Sequence, residues 1–257
     1  MTSALIGYSG FVGSNLSCQA HFDEMFNTAN IDSIRGQSFN LLVSAAAPGL
    51  KWRANRNPRD DWASIQRLTQ CLDEVEADEA VLISTVDVYP YPIEVDENSA
   101  IEPSTATPYG RHRFKLEEYF LSRFNCVRIV RLPGLFGEGL KKNIIYDLLH
   151  QNCVEAISPQ SVYQFYCLDD LWKDLQRVRK AEIERINFAT EPVSAEVVAR
   201  DAFGLSLENR QEHQAARYDF RTIHADIFGG PQGYIRNREQ ILNSLKQFLF
   251  RSGWRTT

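Results

Sequence analysis

The segment Gly7-Tyr8-Ser9-Gly10-Phe11-Val12-Gly13 has residue types and spacing that point directly to chemistry. It sits between a short apolar run, Ser3 to Ile6, and a stretch with helical character from Phe11 to Ala20. At such a turn the first glycine permits the tight bend and the second lets main chain approach a diphosphate. The third lets helix and strand pack closely. The opening amides of the helix then offer free N–H groups and a partial positive charge to the phosphate oxygens. Gly7, Gly10, Phe11, Val12 and Gly13 are therefore expected to cradle the pyrophosphate of a dinucleotide.

The elements that would hold this cradle alternate along the first half of the chain. Apolar strand candidates lie at Ser3 to Ile6, Glu24 to Thr28, Phe39 to Ala47, Ala80 to Ser84 and Cys126 to Arg131. Helical spacing runs from Phe11 to Ala20, from Pro58 to about Val75 and from Tyr109 to Phe124. The alternation predicts an α/β fold, a doubly wound parallel Rossmann sheet with a small C-terminal substrate lobe. The dinucleotide-binding domain is expected over residues 1–133, with returning segments near 168–190. Residues 134–257 would form most of the lobe and a last helix from Arg236 to Phe250. A helix opening at Leu168, a core strand at Arg185 to Phe188 and a helix capped by Ser194 complete the reading.

Composition narrows the function classes. The 257 residues are 44% hydrophobic and carry a formal net charge of −5, a balance that draws neither nucleic acid nor an acidic membrane. No apolar run approaches the roughly 20 residues that span a bilayer. Met1-Thr2-Ser3 has no signal-peptide character, so a cytoplasmic location is expected. The five scattered cysteines form no CxxC pair and no HExxH pattern is present, so the expectation is free buried thiols and no metal site.

The GxxGxxG spacing from Gly7 to Leu16 resembles the extended short-chain dehydrogenase/reductase superfamily, which includes nucleotide-sugar epimerases, dehydratases and 4-keto reductases. The likeness runs from Ser3 to about Gly139 and returns weakly near Leu168-Asp169-Asp170. It implies an NADP or NAD cofactor, with Ala45 and Ala46 against the adenosine half and Pro133 on the nicotinamide side. After the second strand, where an acid would mark NAD, the chain reads Asn27-Thr28-Ala29-Asn30-Ile31-Asp32 with Arg35 beyond. Asn30 and Arg35 favour a 2′-phosphate, hence NADP. Asp32 could instead pair with an NAD ribose.

The same resemblance implies a Ser or Thr, a Tyr and a Lys acting together, the last two spaced YxxxK. Proton transfer at a carbinol oxygen needs the phenol pKa drawn down from about 10 by a neighbouring cation. Thr85 matches the hydroxyl position and Tyr109 the acid/base, but the position four residues on is Arg113. Arginine lies one turn from Tyr109 and keeps a permanent charge, yet it is larger, planar and unable to relay a proton. Lys115, six residues on, would face elsewhere. The dehydratases of the family have two acids after the Thr, whereas Val86 precedes a single Asp87. Gly134 stands where Asn often contacts substrate. The second and third strands are close, as in the compact 4-keto reductases for deoxysugar nucleotides. The expected function is thus reduction or epimerisation of a sugar or sugar-nucleotide carbonyl, with Asp87, His112, Lys142, Asn143 and Tyr166 as substrate-contact candidates and a homodimer as the expected assembly. The rival is a catalytically impaired NAD(P)-binding sensor or scaffold, because of Arg113.

Overall fold

A computed structural model describes residues 2–208 and 215–254. The chain runs through β1 (Ser3–Ile6), α1 (Phe11–Gln19), β2 (Glu24–Phe26) and β3 (Ser38–Ser44). It continues with α2 (Lys51–Arg56), α3 (Pro58–Leu72), β4 (Glu76–Thr85), α4 (Pro108–Arg123) and β5 (Val127–Leu132). After β6 (Gly134–Phe136), α5 (Ile144–His150), β7 (Val162–Tyr163) and β8 (Phe165–Cys167) come α6 (Leu171–Lys180) and β9 (Arg185–Asn187). The last elements are β10 (Val193–Ser194), α7 (Ala195–Val198) and α8 (Arg238–Arg251).

Two compact units emerge. The first comprises Met1–Tyr91, Asn98–Leu132 and Leu171–Ile186; the second comprises Pro92–Glu97, Pro133–Asp170 and Asn187–Thr257. The main sheet has strand order β2-β1-β3-β4-β5-β9, and the pairs from β2 through β5 are parallel. The order reverses between β1 and β3, which makes their carboxyl ends the switch point where ligands of open α/β sheets settle.

Both faces of this sheet are covered, so its strands read as nearly continuous apolar runs. Ala4, Ile6, Leu42, Ala80, Leu82 and Ile129 point into a core shared with Ile65, Leu68 and Leu72 of α3 and Leu116 and Phe120 of α4. Between β2 and β3 there is only one 3₁₀ turn, Ile31–Ile34, whose two isoleucines are buried. The short β2–β3 spacing therefore leaves room for a single turn and no helix.

In the second unit, β6 pairs with β8 and β10 with β7. A separate core joins Phe136, Phe165, Val193 and Phe203 to Ile241, Leu245 and Phe248 of α8. Ser194 caps α7 by accepting from Val197, and Asn237 with Gln240 forms a capping box that starts α8. Several elements escaped the sequence reading: α2, and in the second unit α5 and the short strands β6, β7, β8 and β10. Helix α2 begins at Lys51, just after Pro48-Gly49. The thiols also differ from expectation: all five are free, yet Cys18 and Cys153 are exposed. Among the described residues, no helix is long and apolar enough to cross a membrane.

Candidate active site

The glycine turn sits at the switch point. Gly7 has a φ of +85°, and a methyl group there would lie 2.6 Å from the Ala45 carbonyl oxygen. At Gly13 a methyl would lie 2.0 Å from the Gly7 carbonyl oxygen, so this position admits only glycine. The Gly10 amide donates to Gly7 at 2.9 Å, which closes the turn. Gly10 is the N-cap of α1 and has no side chain to cap it, so Phe11, Val12 and Gly13 open the helix with no side-chain acceptor at their amides. Ala45 and Ala46 line the same turn as small, half-buried residues. A bare main-chain concavity at a helix N-terminus fits a diphosphate.

The loop after β2 is organised by its own residues. The Asn30 side chain accepts from the Asn27 amide at 2.7 Å and donates to the Met25 carbonyl at 3.0 Å. Arg35 turns to α3, donating to the Gln70 carbonyl at 2.8 Å and to Glu74 at 2.5 Å. Asp32 pairs with Arg67 at 2.8 Å. The arginine whose charge favoured a 2′-phosphate thus pairs with Glu74, just beyond α3.

Thr85 ends β4 and caps the following 3₁₀ turn, Val86–Val88, by accepting from the Asp87 amide at 3.2 Å. Its hydroxyl also acts on the Tyr109 phenol, drawing the phenol's pKa down. Tyr109 stands at the start of α4, which Pro108 and the Thr107 cap begin, and is buried to 9% exposure. The Tyr109 amide donates to Asn55 of α2 at 3.0 Å. Gly110 brings α4 down onto the 3₁₀ turn: a methyl there would lie 2.0 Å from the Asp87 carbonyl oxygen. Burial pushes the phenol's pKa up; Arg113, the Thr85 hydrogen bond and Lys51 pull it down, while Asp87 pushes it further up. The net direction is upward. Instead of being drawn toward neutrality by Arg113, the hydroxyl is held in its protonated form, which can donate a proton.

Arg113 is the leading group that opposes this upward shift. Its guanidinium lies over the Tyr109 ring, 4.0 Å from the centroid, with 2% of the residue exposed. It forms a two-pronged ion pair with Asp61 of α3 at 2.5 and 2.8 Å and donates to the carbonyls of Tyr109 and Pro48. Only Nε lacks a partner. Burial alone would raise the Asp61 carboxyl, but hydrogen bonds from Arg113 and His112 hold it below the usual carboxylate range. The expected cation is present over the ring and is paired with Asp61.

The substrate candidates separate in the same way. His112 is a correction to the sequence reading: it is buried against Trp62, with Nδ1 2.7 Å from Asp61 Oδ2. A carboxylate only accepts, so Nδ1 carries the proton. Asn143 caps α5, accepting from Ile145 and Tyr146 and donating to the Leu135 carbonyl at 2.8 Å. Tyr166 is buried with its ring 5.1 Å from Phe188. Pro133 follows β5 directly and is half-buried. Lys115 lies over Trp62, away from the phenol, as its spacing implied. Asp87 accepts from Lys51 Nζ at 2.7 Å. Lys51, Asn55 and Asp61 went unnoticed in the sequence because they lie about 50 residues from Tyr109 in no motif.

No protein-family model matches the sequence, and no curated protein matches it. Solved structures do. The dTDP-4-dehydrorhamnose reductase of Bacillus anthracis, in complex with NADP, is 16% identical over 98% of this chain and 100% of that one, with a TM-score of 0.72. MoeE5, in complex with UDP-glucose and NAD, is 17% identical over 98% and 99%, with a TM-score of 0.71. The NAD-dependent NDP-hexosamine 5,6-dehydratase TunA is 17% identical over 98% and 97%, with a TM-score of 0.74. The chain shares the Rossmann-type fold of these proteins along nearly its whole length.

Proposed function

We propose that this chain is a nicotinamide-dinucleotide-dependent oxidoreductase of the extended short-chain type that reduces a carbonyl on a sugar nucleotide, with Tyr109 as the proton donor. The observation that carries the reading is that Thr85, ending β4, and Tyr109, opening α4, are held at one 3₁₀ turn, where Gly110 packs on the Asp87 carbonyl, in a chain whose glycine turn leaves the α1 amides without a side-chain cap. Gly7, Gly10, Phe11, Val12 and Gly13 would hold the diphosphate, and Ala45 and Ala46 would admit the adenosine half. Pro133 would border the nicotinamide. When bound, the cofactor supplies the hydride. Thr85 orients the substrate oxygen, and Tyr109 gives that oxygen its proton and is left as phenolate. Of the proteins similar in fold, one is in complex with NADP, one is in complex with NAD and one is NAD-dependent. With Asn30, Asp32 and Arg35 tied within their own loop and to α3, both cofactors remain within the proposal.

Reduction is favoured over elimination because only Asp87 follows Thr85 as an acid, and it is engaged with Lys51. Epimerisation would use the same donor in both directions and is the second enzymatic reading. A sensor or scaffold role draws support from Arg113, whose charge is committed to Asp61.

The test uses purified chain, NADPH and NADH, and dTDP- and UDP-linked 4-keto sugars, followed by loss of nicotinamide absorbance. Turnover is expected with one of these pairs, and Tyr109→Phe should abolish it while the dinucleotide still binds. Binding without hydride exchange on any of these sugars would favour the sensor. Intact turnover in Tyr109→Phe would remove Tyr109 from the chemistry.

A further inference from the structure

The Arg113 guanidinium joins segments that lie far apart in sequence. Nη1 donates to Asp61 Oδ2 at 2.5 Å and to the Tyr109 carbonyl, and Nη2 donates to Asp61 Oδ1 at 2.8 Å and to the Pro48 carbonyl. Four N–H groups thus meet four acceptors from α3, α4 and the loop between β3 and α2. Lysine has three N–H groups on one nitrogen and cannot serve that set. The pair is buried, with the arginine side chain 2% and the aspartate side chain 4% exposed. Asp61 is held in turn by His112 Nδ1 at 2.7 Å, whose ring lies 5.3 Å from that of Trp62.

The loop that contains Pro48 follows Ala45, which lines the glycine turn, and leads into α2. Asn55 of α2 accepts from the Tyr109 amide at 3.0 Å, so the stretch from Pro48 to Asn55 is tied to α4 at both ends. We infer that Asp61 is a positioning residue: it seats Arg113 across Tyr109 and Pro48, and so fastens the loop after β3 to α4 with the phenol ring under the guanidinium. The functional consequence rests on the reading above, with Tyr109 as proton donor and Ala45 and Ala46 on the cofactor side. The clamp then holds the phenol in register with the dinucleotide side, and reduction needs both in one geometry. Asp61 acts through Arg113 and moves no proton itself. Arginine at the lysine position is matched to an acid on α3, and the two form one unit.

Two readouts on the full chain test this without substrate. Site-specific 3-fluorotyrosine at position 109 gives one ¹⁹F resonance that reports ring order, and amide hydrogen exchange over residues 45–57 reports the loop and α2. Arg113→Lys keeps the charge and leaves Asp61 a partner. In it the resonance should broaden or split, and exchange over 45–57 should rise about tenfold while β1 and β5 stay unchanged. Asp61→Asn should broaden the resonance likewise, and adding Arg113→Lys to it should broaden it no further. An unmoved resonance in Arg113→Lys, or exchange that rises equally in the loop and in β1 and β5, overturns the assignment. Where the parent turns over a 4-keto sugar, Arg113→Lys should lower kcat about tenfold and leave the sugar's KM within about twofold. A parent that binds neither NADPH nor NADH, yet shows these local changes, would remove the proposed reaction and keep the clamp. Unchanged ring and loop in a chain that does turn over would remove the clamp and keep the reaction.

Discussion

At the scale of single residues, Arg113 shows how a side chain can keep its position in a motif and change its role. A guanidinium with five N–H donors is matched geometrically to a carboxylate, and Asp61 supplies one from α3. Removing that partner leaves a buried, uncompensated charge. Asp61→Asn is therefore expected to cost about 3–5 kcal/mol of stability near neutral pH, measured by urea unfolding. The pH dependence follows from the lowered carboxyl of Asp61. Its contribution is complete above the unfolded value near 3.8 and is lost as pH falls through the lower folded value. The stability gap between the parent and Asp61→Asn should close in acid; a gap that persists below that range would show that the pair is not electrostatic in origin. Thr85, Tyr109 and Arg113 could be singled out because their types and order resemble the family's YxxxK segment. Lys51 and Asp61 could not, because nothing local distinguishes a lysine on a short helix, or an acid in a helix's first turn, from a solvated one.

At the scale of elements, the site depends on two close approaches of backbone. Helix α1 meets the end of β1 through Gly13, and α4 meets the turn after β4 through Gly110. Gly13→Ala would force α1 away from the Gly7 carbonyl and disrupt the anion cradle, so dinucleotide affinity, read by calorimetry, should fall by at least tenfold. An affinity within twofold of the parent would mean that the cradle is not the binding surface. Gly110→Ala places a methyl against a backbone carbonyl that cannot swing aside. An overpacking cost of about 1–3 kcal/mol is expected, with α4 displaced and turnover reduced more than cofactor affinity. The glycine turn was readable because its chemistry is contiguous in sequence. Helix α2 was missed because a six-residue helix after Pro-Gly has too short a pattern to register, and its contacts lie with Asp87 and Tyr109.

At the scale of the whole molecule, the strand order and the likeness to solved reductase and dehydratase structures agree on a Rossmann-type fold. A ligand that binds only the folded chain stabilises it by mass action. NADPH or NADH at a hundred times its dissociation constant should add about 2.7 kcal/mol, or roughly 5–10 °C in midpoint for a chain of this size. The cofactor giving the larger shift is the preferred one, and no shift with either would contradict the proposed function.

The sequence alone was sufficient for the alternation of strand and helix, the glycine turn and the order Thr85, Tyr109, Arg113, because each depends on neighbours along the chain. Side-chain period, turn chemistry and helical spacing are local quantities. Which charge faces Tyr109 was decided only by the fold. An electrostatic field is summed over groups near in space, and Lys51, Asp61, Asp87 and Arg113 come together only when α2, α3, the turn after β4 and α4 pack beyond the carboxyl end of β4.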